Sequence, residues 1–336
     1  MPGGIRLDGA SAGTCPAGTP WNGHRLYFAL RHRGLSGPRD PAFAILPGRV
    51  GGGLDPAARA GRRRMKISVV TTIYNRPEHL RLLLGALAAQ TRVPDEIVVA
   101  DDGSDAATVA ALERLRAAGG IPVQVVRQEK DGYRLAAARN RAIRAATGDY
   151  LLFLDCDIAP LPDAVAVHER AAAPRRLLCG HRALLDETTT RALFSAVPAP
   201  ASADWEQAWA GADRRELSAA TRMFARHAGL RRWHLARPHK PKLLGCHFSL
   251  FREAAERVNG FDENFVGWGY EDDDFARRLY RAGVEPRSVI EEARALHLWH
   301  PSLAPQALER HRDRPNRAYF RRWRVPAVCQ NGLVKT

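Results

Sequence analysis

The first sustained pattern in the chain is the β-branched run Ile67-Ser68-Val69-Val70-Thr71-Thr72-Ile73, which predicts a strand. Further strand patterns at 96–101, 121–127 and 150–155 alternate with helical spacing over about 77–90, 106–118 and 134–146. A strand followed by a helix, three times in succession, implies right-handed crossovers and an α/β fold: a mixed, mostly parallel sheet flanked by helices on both faces. Such sheets bind ligands beyond the carboxyl ends of their strands. Polar clusters fall at those ends, as Tyr74-Asn75-Arg76, Asp101-Asp102-Gly103-Ser104 and Asp155-Cys156-Asp157.

The flanking segments read differently. Residues 1–64 are rich in Gly, Pro and Arg and lack periodicity, so they are read as a disordered extension or a start assigned too far upstream, with the folded part opening at Met65. The nucleotide-side half is expected over 65–185. Residues 186–243 hold Ala-rich helical stretches broken by Pro198, Pro200, Pro238 and Pro241, and are expected to form a helical insertion or lid. A catalytic half is expected over 244–300, followed by a basic, mobile segment over 301–336.

Composition narrows the class. No apolar run approaches the ~18 residues that cross a bilayer, and charges interrupt the N-terminal region where a signal peptide would lie, so a cytoplasmic location is expected, with peripheral contact at the inner membrane face left open. The five cysteines are odd in number and show no CxxC spacing, against a disulfide framework or a structural zinc site. A formal charge of +15 favours an anionic partner, although its arginines are scattered along the chain. The run from Arg231 to Lys242 has several readings: a seat for a diphosphate, a membrane contact, a lid, or a solvated surface.

Four clusters are candidates for chemistry. Asp155 and Asp157 share one side of an extended chain, so both carboxylates can meet one hard cation bridging to phosphate. The null account is a capping turn. Glu271-Asp272-Asp273-Asp274 open a helix directly after Gly267-Trp268-Gly269-Tyr270; a cap needs one or two acids, and the indole offers a flat face to a sugar beside a carboxylate able to take a proton. His297 and His300, one turn apart, complement a carboxylate pair around a divalent ion. Arg134, Arg139 and Asn140 lie where a guanidinium can reach a diphosphate, or on a solvated helix face.

In this order and spacing the motifs from Lys66 to about His300 resemble the family 2 glycosyltransferases of the GT-A fold, a nucleotide-diphospho-sugar transferase architecture. The resemblance implies donor contacts from Thr72, Tyr74, Asn75, Arg76, Asp101, Asp102, Arg134, Arg139, Asn140 and Asp155, and a metal on Asp157. Gly245-Cys246-His247-Phe248-Ser249, Gly260-Phe261-Asp262-Glu263 and Gly267 to Asp273 resemble the catalytic half of β-1,4-galactosyltransferases and bacterial chondroitin-polymerase type enzymes. That match implies Asp272 as the base of an inverting transfer, with Trp268, Glu271 and Asp273 at the acceptor. The later metal position, a Met and a His in the galactosyltransferases, is His297 and His300 here, and Tyr270 replaces the second Gly of a usual pair.

The implied activity moves a Gal, GalNAc, Glc or GlcNAc type sugar from a UDP-sugar to a carbohydrate or glycoconjugate hydroxyl, with Mn²⁺ or Mg²⁺ as cofactor. A sugar nucleotidyltransferase shares the sheet but opens with a Gly-rich phosphate loop, where this chain has Tyr74-Asn75-Arg76-Pro77. A nucleic-acid-binding protein fits the charge, yet no module motif is present and the acidic run at 271–274 repels phosphate, so no nucleic-acid partner is expected.

Overall fold

The computed structural model describes residues 64–118, 120–196, 199–301, 315–322 and 324–335. The reading of residues 1–64 lies outside these, Arg64 excepted. Strands β1 (Ile67–Ile73), β2 (Glu96–Asp101), β3 (Val123–Arg127) and β4 (Tyr150–Leu154) are parallel, in the order β3-β2-β1-β4, connected by α1 (Pro77–Ala88), α2 (Ala106–Ala117) and α3 (Leu135–Ala145). β4 is buried at every position, as its unbroken Tyr-Leu-Leu-Phe-Leu requires of a strand covered on both faces. Pro77 opens α1 where no amide partner is needed, and the Asp105 carboxylate accepts from Thr108 N (2.8 Å) to cap α2.

Beyond β4 the chain forms β5 (Ile158–Pro160), α4 (Ala164–Ala171), β6 (Arg176–Cys179) and β7 (Ala183–Leu184), and later β8 (His247–Phe251), α8 (Arg252–Arg257), α9 (Glu271–Arg281), β9 (Glu285–Ser288) and β10 (Ala295–His297). The main sheet continues β4-β8-β6-β9, with β8 antiparallel to both neighbours. A small sheet, β5-β10-β7, pairs His297 with Ile158, and Leu298 N donates to Asp157 O (2.9 Å). This sheet brings the two histidines to the Asp155-Cys156-Asp157 turn. Phe153 stacks on Phe248 (centroids 4.4 Å) and Phe261 on Phe275 (4.2 Å), so aromatic packing joins β4, β8 and α9.

The 186–243 segment is helical, as α5 (Glu187–Ser195), α6 (Ser202–Gly211) and α7 (Arg215–Arg232). Part of it packs on the main fold: Leu193, Trp205 and Ala208 close a core with Leu82 of α1 and with Leu296 and Leu298, because these helices carry their own apolar stripe. α7 differs, burying only Phe224. Within 301–336, read as mobile, the described residues are packed. Helix α10 (Pro315–Phe320) buries Asn316 and Phe320, and Cys329 is buried while Asn259 Nδ2 donates to Cys329 O and Val334 O (2.7 Å each). Among the described residues no helix is long and apolar enough to cross a membrane.

A chain of buried polar groups crosses the core beneath β8. His247 Nδ1 lies 2.9 Å from His181 O, which can only accept, so His247 Nε2 is the acceptor for His168 Nε2–H at 2.9 Å. His168 Nδ1 then accepts from the Ser249 hydroxyl (2.6 Å), and Ser249 Oγ accepts from Tyr150 (2.7 Å). Every group is satisfied only while both imidazoles are neutral. Burial pushes His168 well below the usual imidazole range and His247 down to about 4.

Candidate active site

At the ends of β1 to β3 two polar turns are fastened together. Asn75 adopts a left-handed conformation (φ 51°); its amide donates to Ser104 Oγ (3.0 Å) and its side-chain carbonyl accepts from Asp105 N (2.9 Å), which locks the Tyr74–Arg76 loop onto the Asp101–Ser104 turn. Asp101 is buried, accepting from Ser104 N (2.9 Å), with Arg127 Nε at 3.4 Å from its other oxygen. Asp102 is held by Gln128 and by Lys130 Nζ (2.9 Å), and Lys130 also lies 3.5 Å from the centroid of the exposed Tyr74 ring. Thr72 is half-buried on β1 opposite Ala100. Sequence reasoning missed Lys130; its signal was being one of very few lysines, directly before Asp131-Gly132.

One strand further on, Asp157, His297 and His300 converge, each offering one ligand atom, and these atoms lie within 4.8 Å of one another. His300 Nε2 is 3.3 Å and His297 Nε2 3.8 Å from the Asp157 carboxylate. The donor set of two imidazoles and one carboxylate suits a divalent first-row cation. Burial opposes ionisation of Asp157, but the His300 hydrogen bond, His297 and Arg76 outweigh it and lower its pKa; burial holds His297 down at about 4, so it is a neutral, ligand-ready imidazole. Arg76 reaches into the same cluster, Nη1 to Asp157 Oδ2 (2.9 Å) and Nη2 to His300 Nδ1 (3.1 Å).

The acidic end of α9 is tied to the neighbouring Asp155 turn through Arg139 and Gly245. Asp272 Oδ2 accepts from Gly245 N (3.2 Å), and Gly245 O accepts from Arg139 Nη2 (3.0 Å). A Cβ at Gly245 would lie 3.0 Å from Asp272 Oδ2, so glycine permits this approach. Arg139 Nη2 also pairs with Asp155 Oδ1 (3.2 Å) and Nη1 with Glu271 Oε1 (3.5 Å). One buried guanidinium thereby ties the DxD turn to the catalytic-half helix. Burial raises the pKa values of Asp155, Glu271 and Asp273, with Arg139 opposing it at the first two and Lys242, 3.6 Å away, at the third. Glu271 Oε2 and Asp273 Oδ1 are buried without a hydrogen-bond partner among the described residues. Trp268 is half exposed, and Tyr270 sits at φ 74° where a glycine is strain-free, its ring 5.2 Å from Phe320.

Two residues are placed differently from the sequence reading. Asn140 is fully buried away from any donor: it clamps the Phe261 backbone, accepting from Phe261 N and donating to Phe261 O (2.8 Å each), and gives a second proton to Glu263 (2.9 Å). Both of its amide protons are spent. Arg139, only 3% exposed, is engaged with two carboxylates and Gly245 O and acts as a strut between them. Arg134 forms a surface pair with Asp131 (2.8 Å). Of the four acids opening α9, Asp274 is structural, buried against Arg277 (2.6 Å) and Arg278 (2.7 Å), while Arg278 donates to Val258 O and Gly260 O (2.7 Å each).

A sequence profile described as "Glycosyl transferase family 2" matches residues 68–192, and one described as "N-terminal domain of galactosyltransferase" matches residues 225–301. The chain is 32% identical over 244 residues to chondroitin synthase of Escherichia coli, an overlap that covers 69% of this chain and 34% of that protein. It is 33% identical over 250 residues to validoxylamine A glucosyltransferase of Streptomyces hygroscopicus subsp. limoneus, covering 68% and 50%. The chain therefore spans a third to a half of the length of these relatives. Among solved structures it shares its fold with mannosyltransferase PcManGT from Pyrobaculum calidifontis in complex with GDP-Man and Mn²⁺, at TM-score 0.51 and 20% identity over 74% of this chain and 61% of that one. The first profile covers the strands that end in Asp101, Asp102 and the DxD turn, and the second runs from α7 through Trp268 and Asp272 to the histidines. The chain belongs to the family 2 glycosyltransferases and has their GT-A fold.

Proposed function

We propose that this chain transfers a hexose or N-acetylhexosamine from a UDP-sugar to a carbohydrate hydroxyl with inversion at the anomeric carbon. The observation that supports the reading is the Arg139 strut, which joins Asp155 to Glu271 at the acidic end of α9. The base and ribose lie against Tyr74, Asp101 and Asp102, and Arg76 turns from Asp157 toward the diphosphate. Asp157, His297 and His300 would hold a divalent cation, Mn²⁺ or Mg²⁺, which when bound supplies positive charge beside the departing diphosphate.

Asp272, oriented by Gly245 N, takes the proton of the acceptor hydroxyl as its oxygen bonds to the anomeric carbon. The bond from that carbon to the diphosphate oxygen breaks on the opposite side, and the electron pair leaves with UDP. Glu271 and Asp273 receive neighbouring acceptor hydroxyls, and Trp268 covers a sugar face. The test is UDP release from a panel of UDP-sugars with Mn²⁺ and oligosaccharide acceptors, with the anomeric configuration of the product read by NMR. An inverted product supports the reading; a retained anomer, or no nucleotide sugar consumed across the panel, overturns it.

A further inference from the structure

The charge excess is not even. Residues 214–242 carry nine cationic side chains against Glu216 alone, more than half of the formal +15. This stretch comprises α7 and the loop after it. α7 buries a single residue, Phe224, and its outward face presents Arg222, Met223 (50% exposed) and Arg226. The loop then exposes Trp233 (75%) and Leu235 (73%), flanked by exposed Arg232 and Arg237. Among the described residues, none of Arg222, Arg226, Arg232 and Arg237 is in an ion pair. Arg231 is committed otherwise: it packs 4.2 Å over the Tyr280 ring and donates to Lys240 O (3.2 Å), which fixes the loop in place.

Isolated exposed apolar residues need no explanation. Here an indole and a leucine two positions apart protrude from a strongly cationic stretch, with an exposed methionine on the preceding helix. Unpaired cations select an anionic partner, and each contributes about 1 kcal/mol near an anionic lipid surface. A polyanion in water uses the charges but not Leu235 or Met223; the boundary between headgroups and acyl chains uses both, since it accepts an amphipathic ring and aliphatic side chains below a charged plane. An open cleft of about 930 Å³ between the end of α7 and the α9–β9 turn, lined by Arg231, Arg232 and His234, adds room for a headgroup.

We infer that α7 and the 231–237 loop form a docking face for an anionic lipid surface. The same loop runs on to Lys242, 3.6 Å from Asp273 at the proposed acceptor side, so docking presents that side of the cleft to acceptors carried at the surface. The second clause rests on the proposed function; the docking does not.

The test is flotation of the full chain with phosphatidylcholine vesicles, with and without phosphatidylglycerol, across a salt series. The expected result is recovery with the anionic vesicles, weakened by salt, and at least about tenfold less with neutral ones. The double variant Trp233→Ser/Leu235→Ser, both sites being solvent-exposed, is expected to lose about tenfold in vesicle binding while keeping its melting temperature and its turnover of a water-soluble acceptor. Equal recovery with both vesicle types, or wild-type recovery of the double variant, overturns the inference. So does loss of turnover on the soluble acceptor, which makes the loop a lid over the site. Because flotation requires no catalysis, its outcome is separable from failure of the transfer reaction.

Discussion

The guanidinium of Arg139 lies 3.2 Å from the carboxylate of Asp155, and that pair is enclosed by protein on the Arg139 side. With Glu271 as the guanidinium's other partner, it is a buried cation shared between two acids on elements far apart in sequence. Deleting the cation leaves both carboxylates without their counter-ion. Arg139→Met is expected to cost about 3–5 kcal/mol, measured by urea unfolding. A loss below about 1 kcal/mol would show that the acids simply protonate and that the strut is dispensable.

Asp272→Asn can keep the Gly245 contact through its one oxygen, at the cost of the Asp273 N bond, and removes proton acceptance. Turnover is expected to fall by about two to four orders of magnitude with nucleotide affinity within about threefold of wild type. Near-normal turnover would take the base role from Asp272.

Gly245→Ala addresses the same atom by geometry. The added methyl meets Asp272 Oδ2 at 3.0 Å, so the carboxylate must shift by a few tenths of an ångström. A drop of about tenfold or more in kcat, with an unchanged melting temperature, is expected. An unaltered kcat would mean that the position of this carboxylate is not critical.

The metal cluster predicts a thermal readout that needs no acceptor. Mn²⁺ is expected to raise the melting temperature in the presence of UDP, and His297→Ala or Asp157→Asn to weaken the cation's apparent affinity by at least about tenfold. Identical Mn²⁺ titrations of variants and wild type would remove these residues from the cation site.

The His168–His247 pair makes stability depend on pH with a definite sign. The pKa of His247 is depressed on folding from 6.5 to about 4, so below pH 6.5 the unfolded chain binds more protons. Its contribution is complete above that value and is lost as pH falls toward 4, by about 3 kcal/mol in all. The buried carboxylates with raised pKa values act in the opposite direction, so the comparison is with His247→Gln, whose amide can both accept from His168 and donate to His181 O. That variant is expected to lose less stability between pH 6.5 and 4 than wild type. Equal pH slopes for the two would mean that His247 does not stay neutral in the folded state.

The nucleotide half of the fold was legible because its four strands and three helices are long enough to show their periods. β5, β7 and β10 are two or three residues long, and no alternation can register at that length. They nevertheless bring His297 to Asp157, so the cluster was foreseeable only through the i, i+3 histidines and the resemblance. Asn140 was misread because an amide on a helix reads the same whether it faces a ligand or clamps a buried turn. Asp274 was indistinguishable from its three acidic neighbours, since its partners Arg277 and Arg278 look like an ordinary solvated face until the helix is docked.

Asn259 clasps residues 329 and 334, Glu263 N donates to Asn331 O (2.7 Å), and Arg144 donates to Gly332 O and Leu333 O (2.8 Å each). The turn that leads into Trp268 and Asp272 is therefore finished by residues synthesised some seventy positions after it. A chain cut before Cys329 strands both amide protons of Asn259 and three donors of Arg144 and Glu263, so loosening of this turn is the expected cost of losing a segment whose described residues touch none of the α9 acids.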